Sequence, residues 1–166
     1  MPGGASPKKQ KRQKHSYSGK KKRHTQKAQV VADPRTGRIL ATAFGAGKMH
    51  DFKLFGQSRL AMHPQTECLA DSGYLGLKKS HNNSRLPAKK SKLHPLTGEQ
   101  KADNRQLSRE RFVVEHIIRS VKIFRILAER YRNRRKRFGL RFNLIAALYN
   151  LNALERTSLY SFDRVE

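Results

Sequence analysis

Three residues of the stretch RERFVVEHIIRSVK could do chemistry together. Arg111, Glu115 and Lys122 are spaced by four and then seven residues. Those steps are one and two turns of an α-helix, so the three side chains leave one face. A carboxylate held between two cations in a basic chain suits a metal ligand that meets phosphate. Asp71 is the second acid of interest. It closes the short apolar run CLAD and is followed by Ser72-Gly73, which places an acid at the end of a buried strand on a sheet edge. Hard divalent cations such as Mg²⁺ or Mn²⁺ take oxygen ligands. Metal-assisted phosphoryl transfer needs acids from separate elements to converge on one point, and Asp71 with Glu115 is the best pair here. Each acid also has a plainer use. Glu115 could pair with Arg119 or Arg111 at the surface, for about 0.3–0.5 kcal/mol. Asp71 could cap the turn through Ser72-Gly73.

Other chemistry-bearing residues are weaker. His50-Asp51 follows a Gly-rich loop, and Asp51 reads first as the N-cap of the next helix. Otherwise the two are auxiliaries to the acid pair. GAGK lacks the upstream glycine and the following Ser/Thr of a phosphate-binding loop, which excludes one. His63, His81 and His94 have no metal-ligand spacing and fall in expected loops. Tyr74 and Tyr149 read as packing residues rather than nucleophiles.

These side chains sit in a chain of 166 residues with 37 Lys+Arg against 12 Asp+Glu, a formal net charge of +25. The length suffices for one domain with a core. The charge opposes compaction unless a polyanion neutralises it, so nucleic acid is the leading partner and a membrane surface the weaker one. No apolar run is long enough to span a bilayer, and the basic N-terminus lacks the apolar segment of a signal peptide. Cys68 is alone, which excludes an internal disulfide and a Cys-based zinc site and fits a reducing cytoplasm. There is no Trp and only 8% of residues are aromatic, so phosphate contacts are favoured over base stacking.

Residues 1–24 carry many Lys and Arg and no acid. They read as a flexible basic arm that orders, if at all, on DNA. TQKAQVVAD and RILATAFG read as two strands joined by a DPRTG turn, a β-hairpin. GAGKMHDFKLFGQSRLA reads as a loop entering a helix. Residues 78–103 read as loop, and the chain turns helical from about Asn104, with Val114, Ile117, Ile118, Val121 and Phe124 as its apolar stripe. Arg111, Glu115 and Lys122 lie on the polar flank of that stripe. A second helix covers ILAERYRN and a third covers FGLRFNLIAALYNLNALE. The phosphate contacts come from Lys20, Lys21 and Lys22 in the arm, Arg119 on the helix, and Arg134 and Arg135 in the dense cluster RYRNRRKRF.

Taken in order, these blocks resemble the DDE-type insertion-sequence transposases, close to the Harbinger-like nucleases. The resemblance covers about residues 7–150. Tyr17–Asp33 is similar to the block after the family's first catalytic aspartate, GKMHDFKLF to its Gly/His-Asp block, and LADSGYLG puts Asp71 at its second aspartate. Arg111, Glu115 and Lys122 match the signature Tyr-x2-Arg-x3-Glu-x6-Lys, with Ser108 in place of the Tyr. The first aspartate has no counterpart, because MPGGAS contains no acid.

The resemblance implies an α/β, RNase H-like fold with a mixed sheet, truncated at its N-terminus and lacking the first strand. It implies a partial catalytic domain over 25–153 and a C-terminal tail over 154–166. Asp71 and Glu115 would bind Mg²⁺ or Mn²⁺, while Arg111 and Lys122 would hold DNA phosphates or orient Glu115. The implied reaction is metal-dependent cleavage and strand transfer at transposon ends, in the cytoplasm and associated with the nucleoid. The chain alone would be inactive and marginally stable. An upstream transposase fragment would supply the first aspartate, and a homo-oligomer is a further expected partner. Two other classes remain open: a small RNA-binding structural protein of the ribosomal kind, and a non-catalytic DNA-binding transposase remnant.

Overall fold

The computed structural model describes residues 17–18, 22–91, 95–129 and 137–162, with side chains described as far as residue 153. Its centre is a β-hairpin. Strands β3 (Gln26–Ala32) and β4 (Ile39–Ala46) pair antiparallel, with Lys27 opposite Gly45, Gln29 opposite Ala43 and Val30 opposite Thr42. The connecting turn is set by Asp33, whose carboxylate accepts from the Arg35 amide at 2.9 Å and the Thr36 hydroxyl at 2.8 Å. Those bonds hold its carboxyl below the usual aspartate range. Gly37 closes the turn at φ +67°, a left-handed conformation that favours glycine.

Alternation along β3 and β4 sends side chains to two faces, and helices cover both. Lys27, Gln29 and Gly45 face helix α1 (Asp51–Ser58) and a 3-10 helix (Ser72–Lys79). The packing at Gly45 is tight, since a Cβ would lie 3.0 Å from the Met49 sulfur and 3.2 Å from Leu54. The opposite face carries Val30, Ala32 and Phe44. It packs under helix α2 (Gly98–Val121) and helix α4 (Phe138–Phe162), forming the core with Ile39, Ile117, Val121, Phe138, Phe142, Ile145 and Ala146. Phe44 meets Phe138 and Phe142 edge-on, at 5.6 and 5.3 Å between centroids. Asn150 completes the seam. Its amide accepts from the Ile39 N–H and donates to the Ile39 carbonyl, both at 2.8 Å, so one side chain extends the ladder as a strand would.

Three smaller elements complete the chain. Strands β1 (Tyr17–Ser18) and β2 (Arg23–His24) pair antiparallel, while β5 (Cys68–Leu69) and β6 (Ser84–Arg85) pair parallel. Helix α3 (Arg125–Ala128) is a single turn.

The architecture is mixed α/β, as expected. However, the described strands form three separate two-stranded pairs rather than one mixed sheet. Three boundaries also differ from the sequence reading. Helix α2 begins at Gly98, not near Asn104, because Thr97 and Gln100 form a reciprocal capping box. The Gln100 amide donates to Thr97 Oγ1 at 3.2 Å, and the Thr97 amide to Gln100 Oε1 at 3.1 Å. Phe124 leaves the apolar stripe, because α2 ends at Val121 and the ring is exposed. Helix α4 runs on to Phe162, through most of the expected tail. Within the expected arm, Tyr17 and His24 stack edge-on across the β1–β2 pair at 5.7 Å. Among the described residues no helix is long and apolar enough to cross a membrane.

Candidate metal and nucleic-acid site

Asp71 sits where β5 gives way to the 3-10 helix. The Ala70 amide still donates to the Arg85 carbonyl at 3.2 Å, so Asp71 is the first residue beyond the β5–β6 pair. It is the N-cap of the 3-10 helix, and its Oδ1 accepts from the Ser72 amide at 2.6 Å. The capping use read from the sequence is therefore present. The same oxygen also lies 3.4 Å from Nη1 of Arg111, with 59% of the Asp71 side chain exposed. Capping and an ion pair together leave this carboxylate open to solvent on its outer side.

Arg111 reaches Asp71 because α2 is clamped to the neighbouring strand. Arg85 on β6 forks onto Glu110, Nη1 to Oε2 at 2.8 Å and Nη2 to Oε1 at 3.3 Å, and lies 3.5 Å from Glu67 Oε1. A bidentate guanidinium–carboxylate pair fixes direction as well as distance. It holds the residue beside Arg111 against the sheet that carries Asp71. Asn104 adds a second clamp, its side chain exchanging two hydrogen bonds with the Ala88 backbone at 2.8 and 3.0 Å.

Glu115 follows Arg111 by one helical turn, about 6 Å along the axis. It is exposed, and among the described residues it has no ion-pair partner. The surface pairing with Arg111 or Arg119 is therefore absent, and Arg111 turns to Asp71 instead. Lys122 is the C-cap of α2, exposed on the same flank, and Arg119 is exposed farther round the helix. Lys22 is exposed, at φ 51°, beside β2. Lys20, Lys21, Arg134, Arg135 and His94 lie outside the described residues.

His50 rather than Asp51 occupies the N-cap of α1, with no side-chain bond, and Asp51 is the first helical residue. Its carboxylate pairs with Lys27 on β3 at 2.9 Å. It also packs beside Gly73, near Tyr74. Burial first, then the Asp51 and Asp71 charges, push the Tyr74 phenol up to about 12. That phenol donates to the Gln29 amide oxygen at 3.4 Å, and its ring meets Phe55 edge-on. Tyr74 is thus a packing residue, as read from the sequence. His81 is buried with Nε2 2.6 Å from the Thr66 carbonyl, a structural role. Burial pushes the Cys68 thiol up, which keeps it protonated and unreactive.

The donors fit a hard cation in type, since both acids offer oxygen and Mg²⁺ commonly takes one or two carboxylates with waters. Among the described residues, however, no three His, Cys, Asp or Glu side chains gather closely enough to hold an ion. A cleft of about 460 Å³ lined by Thr36, Ser120, Ile123, Phe124 and Tyr149 contains neither acid. Sequence reasoning missed Lys27, Arg85 and Glu110, none of which left a local signal; Gly73, read there only as following Asp71, also seats Asp51.

Comparison with known proteins gives this arrangement its context. Residues 4–150 match the DDE superfamily endonuclease family. The chain is 48% identical over 140 residues to the probable transposase for insertion sequence element IS702 of Microchaete diplosiphon, which is 84% of this chain and 51% of that protein. It therefore spans about half the length of the curated relative it matches. No solved structure matches it. With the family matched along nearly its whole length and about half of the aligned residues shared with a transposase, the chain belongs to the DDE superfamily endonucleases of insertion-sequence transposases.

Proposed function

We propose that this chain carries two of the acids of a metal-dependent DNA-cleaving site in an RNase H-like transposase domain. DNA is the substrate, at the ends of a mobile element. The observation that carries the reading is the meeting of Asp71 and Arg111, which joins the strand-end acid to the helix that bears Glu115 one turn farther on. An acid at a strand end and an acid one helical turn beyond Arg111 would then share one solvent-open position. Asp71 and Glu115 would hold Mg²⁺ or Mn²⁺ there. A bound divalent cation polarises the scissile phosphate and lowers the pKa of an attacking water. With a cation held there, Arg111 would be free to turn its guanidinium from Asp71 to a phosphate oxygen. Lys122 and Arg119 neutralise flanking phosphates, and the Lys20–Lys22 and Arg134–Arg135 runs extend the contact.

Two carboxylates do not make a working two-metal site. The pair needs a third acid beside it, and the isolated chain turns over poorly or not at all. Mn²⁺-dependent nicking of supercoiled DNA tests this. The chain alone should nick weakly. The chain joined to the part of the relative that it does not cover should nick well and lose activity on Asp71→Asn or Glu115→Gln. Robust nicking by the chain alone, abolished by Asp71→Asn, overturns the inactivity. Nicking indifferent to both acids overturns the site.

One observation favours a second reading, a DNA-binding remnant without catalysis: Asp71 is already engaged as a helix cap and as the partner of Arg111. That reading expects DNA binding with no metal-dependent nicking in either form of the chain.

A further inference from the structure

We propose that Asp51 is a positioning residue for Asp71, anchored by Lys27 and seated on a glycine face of the 3-10 helix. The proposal rests on the reading of Asp71 as a metal ligand. Gly73 and Gly76 lie on either side of a kink at Tyr74 in the 3-10 segment, and both face the start of α1. The first turn of α1 nests there. A Cβ at Gly73 would fall 2.7 Å from Asp51 Oδ2 and 3.3 Å from both Asp51 Cβ and Cγ. A Cβ at Gly76 would fall 2.5–2.8 Å from the Phe52 ring. Neither position has room for a side chain.

Asp51 cannot easily give way. Its other carboxylate oxygen, Oδ1, pairs with Lys27 at 2.9 Å, and the Lys27 ammonium also donates to the Met49 carbonyl. Lys27 stands on β3, inside the central hairpin. The turn from Asp71 to Tyr74 is therefore tied to β3 twice. Lys27 holds it through Asp51 and Gly73, and Gln29 holds it through the Tyr74 phenol. Within the turn, the Tyr74 amide donates to the Asp71 carbonyl at 2.9 Å. Moving Gly73 moves the backbone that aims Asp71.

An ion pair of two partly exposed groups would by itself contribute little. What distinguishes this one is the close approach of its carboxylate to the Asp71 turn. Outer residues that orient a ligand typically change metal affinity by about 10- to 100-fold.

Mn²⁺ binding to the full chain, read by electron paramagnetic resonance, tests the assignment, with thermal unfolding as the separate record of folding. Asp71→Asn should abolish the bound signal. Asp51→Asn and Lys27→Met should each weaken binding about tenfold while the chain stays folded. Gly73→Ala should weaken it similarly, and the double variant Gly73→Ala with Asp51→Ala should bind more tightly than Gly73→Ala alone, because the new methyl takes the vacated space. The positioning role is overturned if Asp71→Asn abolishes binding while Asp51→Asn and Lys27→Met change nothing. It is also overturned if Asp51→Asn is as complete as Asp71→Asn, which makes Asp51 a ligand, or if the double variant binds no better than Gly73→Ala. Binding indifferent to Asp71→Asn instead refutes the metal site, and this role falls with it.

Discussion

Tyr74 offers a direct readout of the ground beneath the acid pair. Its phenol is raised from an ordinary value of 10 to about 12, chiefly by burial and then by the charges of Asp51 and Asp71. The chain has five Tyr and no Trp, so phenolate absorbance during an alkaline titration reports Tyr ionisation cleanly. Tyr74→Phe should remove the component of that titration near pH 12. Asp71→Asn and Asp51→Asn should each move it part of the way back, with burial still holding it above 10. Stability follows by linkage. A phenol raised in the folded state contributes stability that is fully present below its unfolded value near 10. That stability is lost as pH climbs through about 12, because the unfolded chain gives up its proton first. Each tenfold is about 1.4 kcal/mol, so the full interval is at most about 2.7 kcal/mol. The ring is half-buried, and solvent screening reduces this to about 1–2 kcal/mol. Wild-type should therefore lose more stability than Tyr74→Phe as the pH passes from 10 to 12. No phenol component near pH 12, or an Asp71→Asn titration identical to wild-type, would refute the placement of Tyr74 beside both acids.

Further outcomes follow from the packing. Ile117 is 1% exposed at the centre of the α2–α4 core, so Ile117→Ala should cost about 2–5 kcal/mol in denaturant unfolding; a cost under ~1 kcal/mol would mean α2 does not pack there. Thr97→Ala removes one half of the capping box and should cost about 1 kcal/mol, with faster amide exchange at the first turn of α2 as its local sign. Ser84 is buried, and its hydroxyl has no hydrogen-bond partner among the described residues. Ser84→Ala should therefore stabilise the chain by roughly 1 kcal/mol; destabilisation would show an unseen partner.

Much of the architecture could be read from periodicity. Two alternating runs around DPRTG gave the hairpin, because alternation, the Asp33 bonds and the Gly37 conformation all act locally. The 3.6-residue stripe likewise placed Ile117 and Val121 inside and Arg111, Glu115 and Lys122 on the flank. What could not be read depends on contacts distant in sequence. The plainer use of Glu115, an ion pair with a cation on its own helix, does not form, because Arg111 reaches across to Asp71, 40 residues earlier. No spacing rule couples Arg85 to Glu110 or Lys27 to Asp51, since those pairs form only after β6 meets α2 and α1 meets β3. The start of α2 was legible in principle. The Thr97-Gly98-Glu99-Gln100 capping box was outweighed by the polar, Pro-containing stretch before it.

Anomalous diffraction from crystals soaked in Mn²⁺ tests the central claim most directly. The account predicts one ordered peak within coordinating distance of carboxylate oxygens of both Asp71 and Glu115, with the Arg111 guanidinium withdrawn from Asp71. A peak elsewhere with the Asp71–Arg111 pair intact would contradict it.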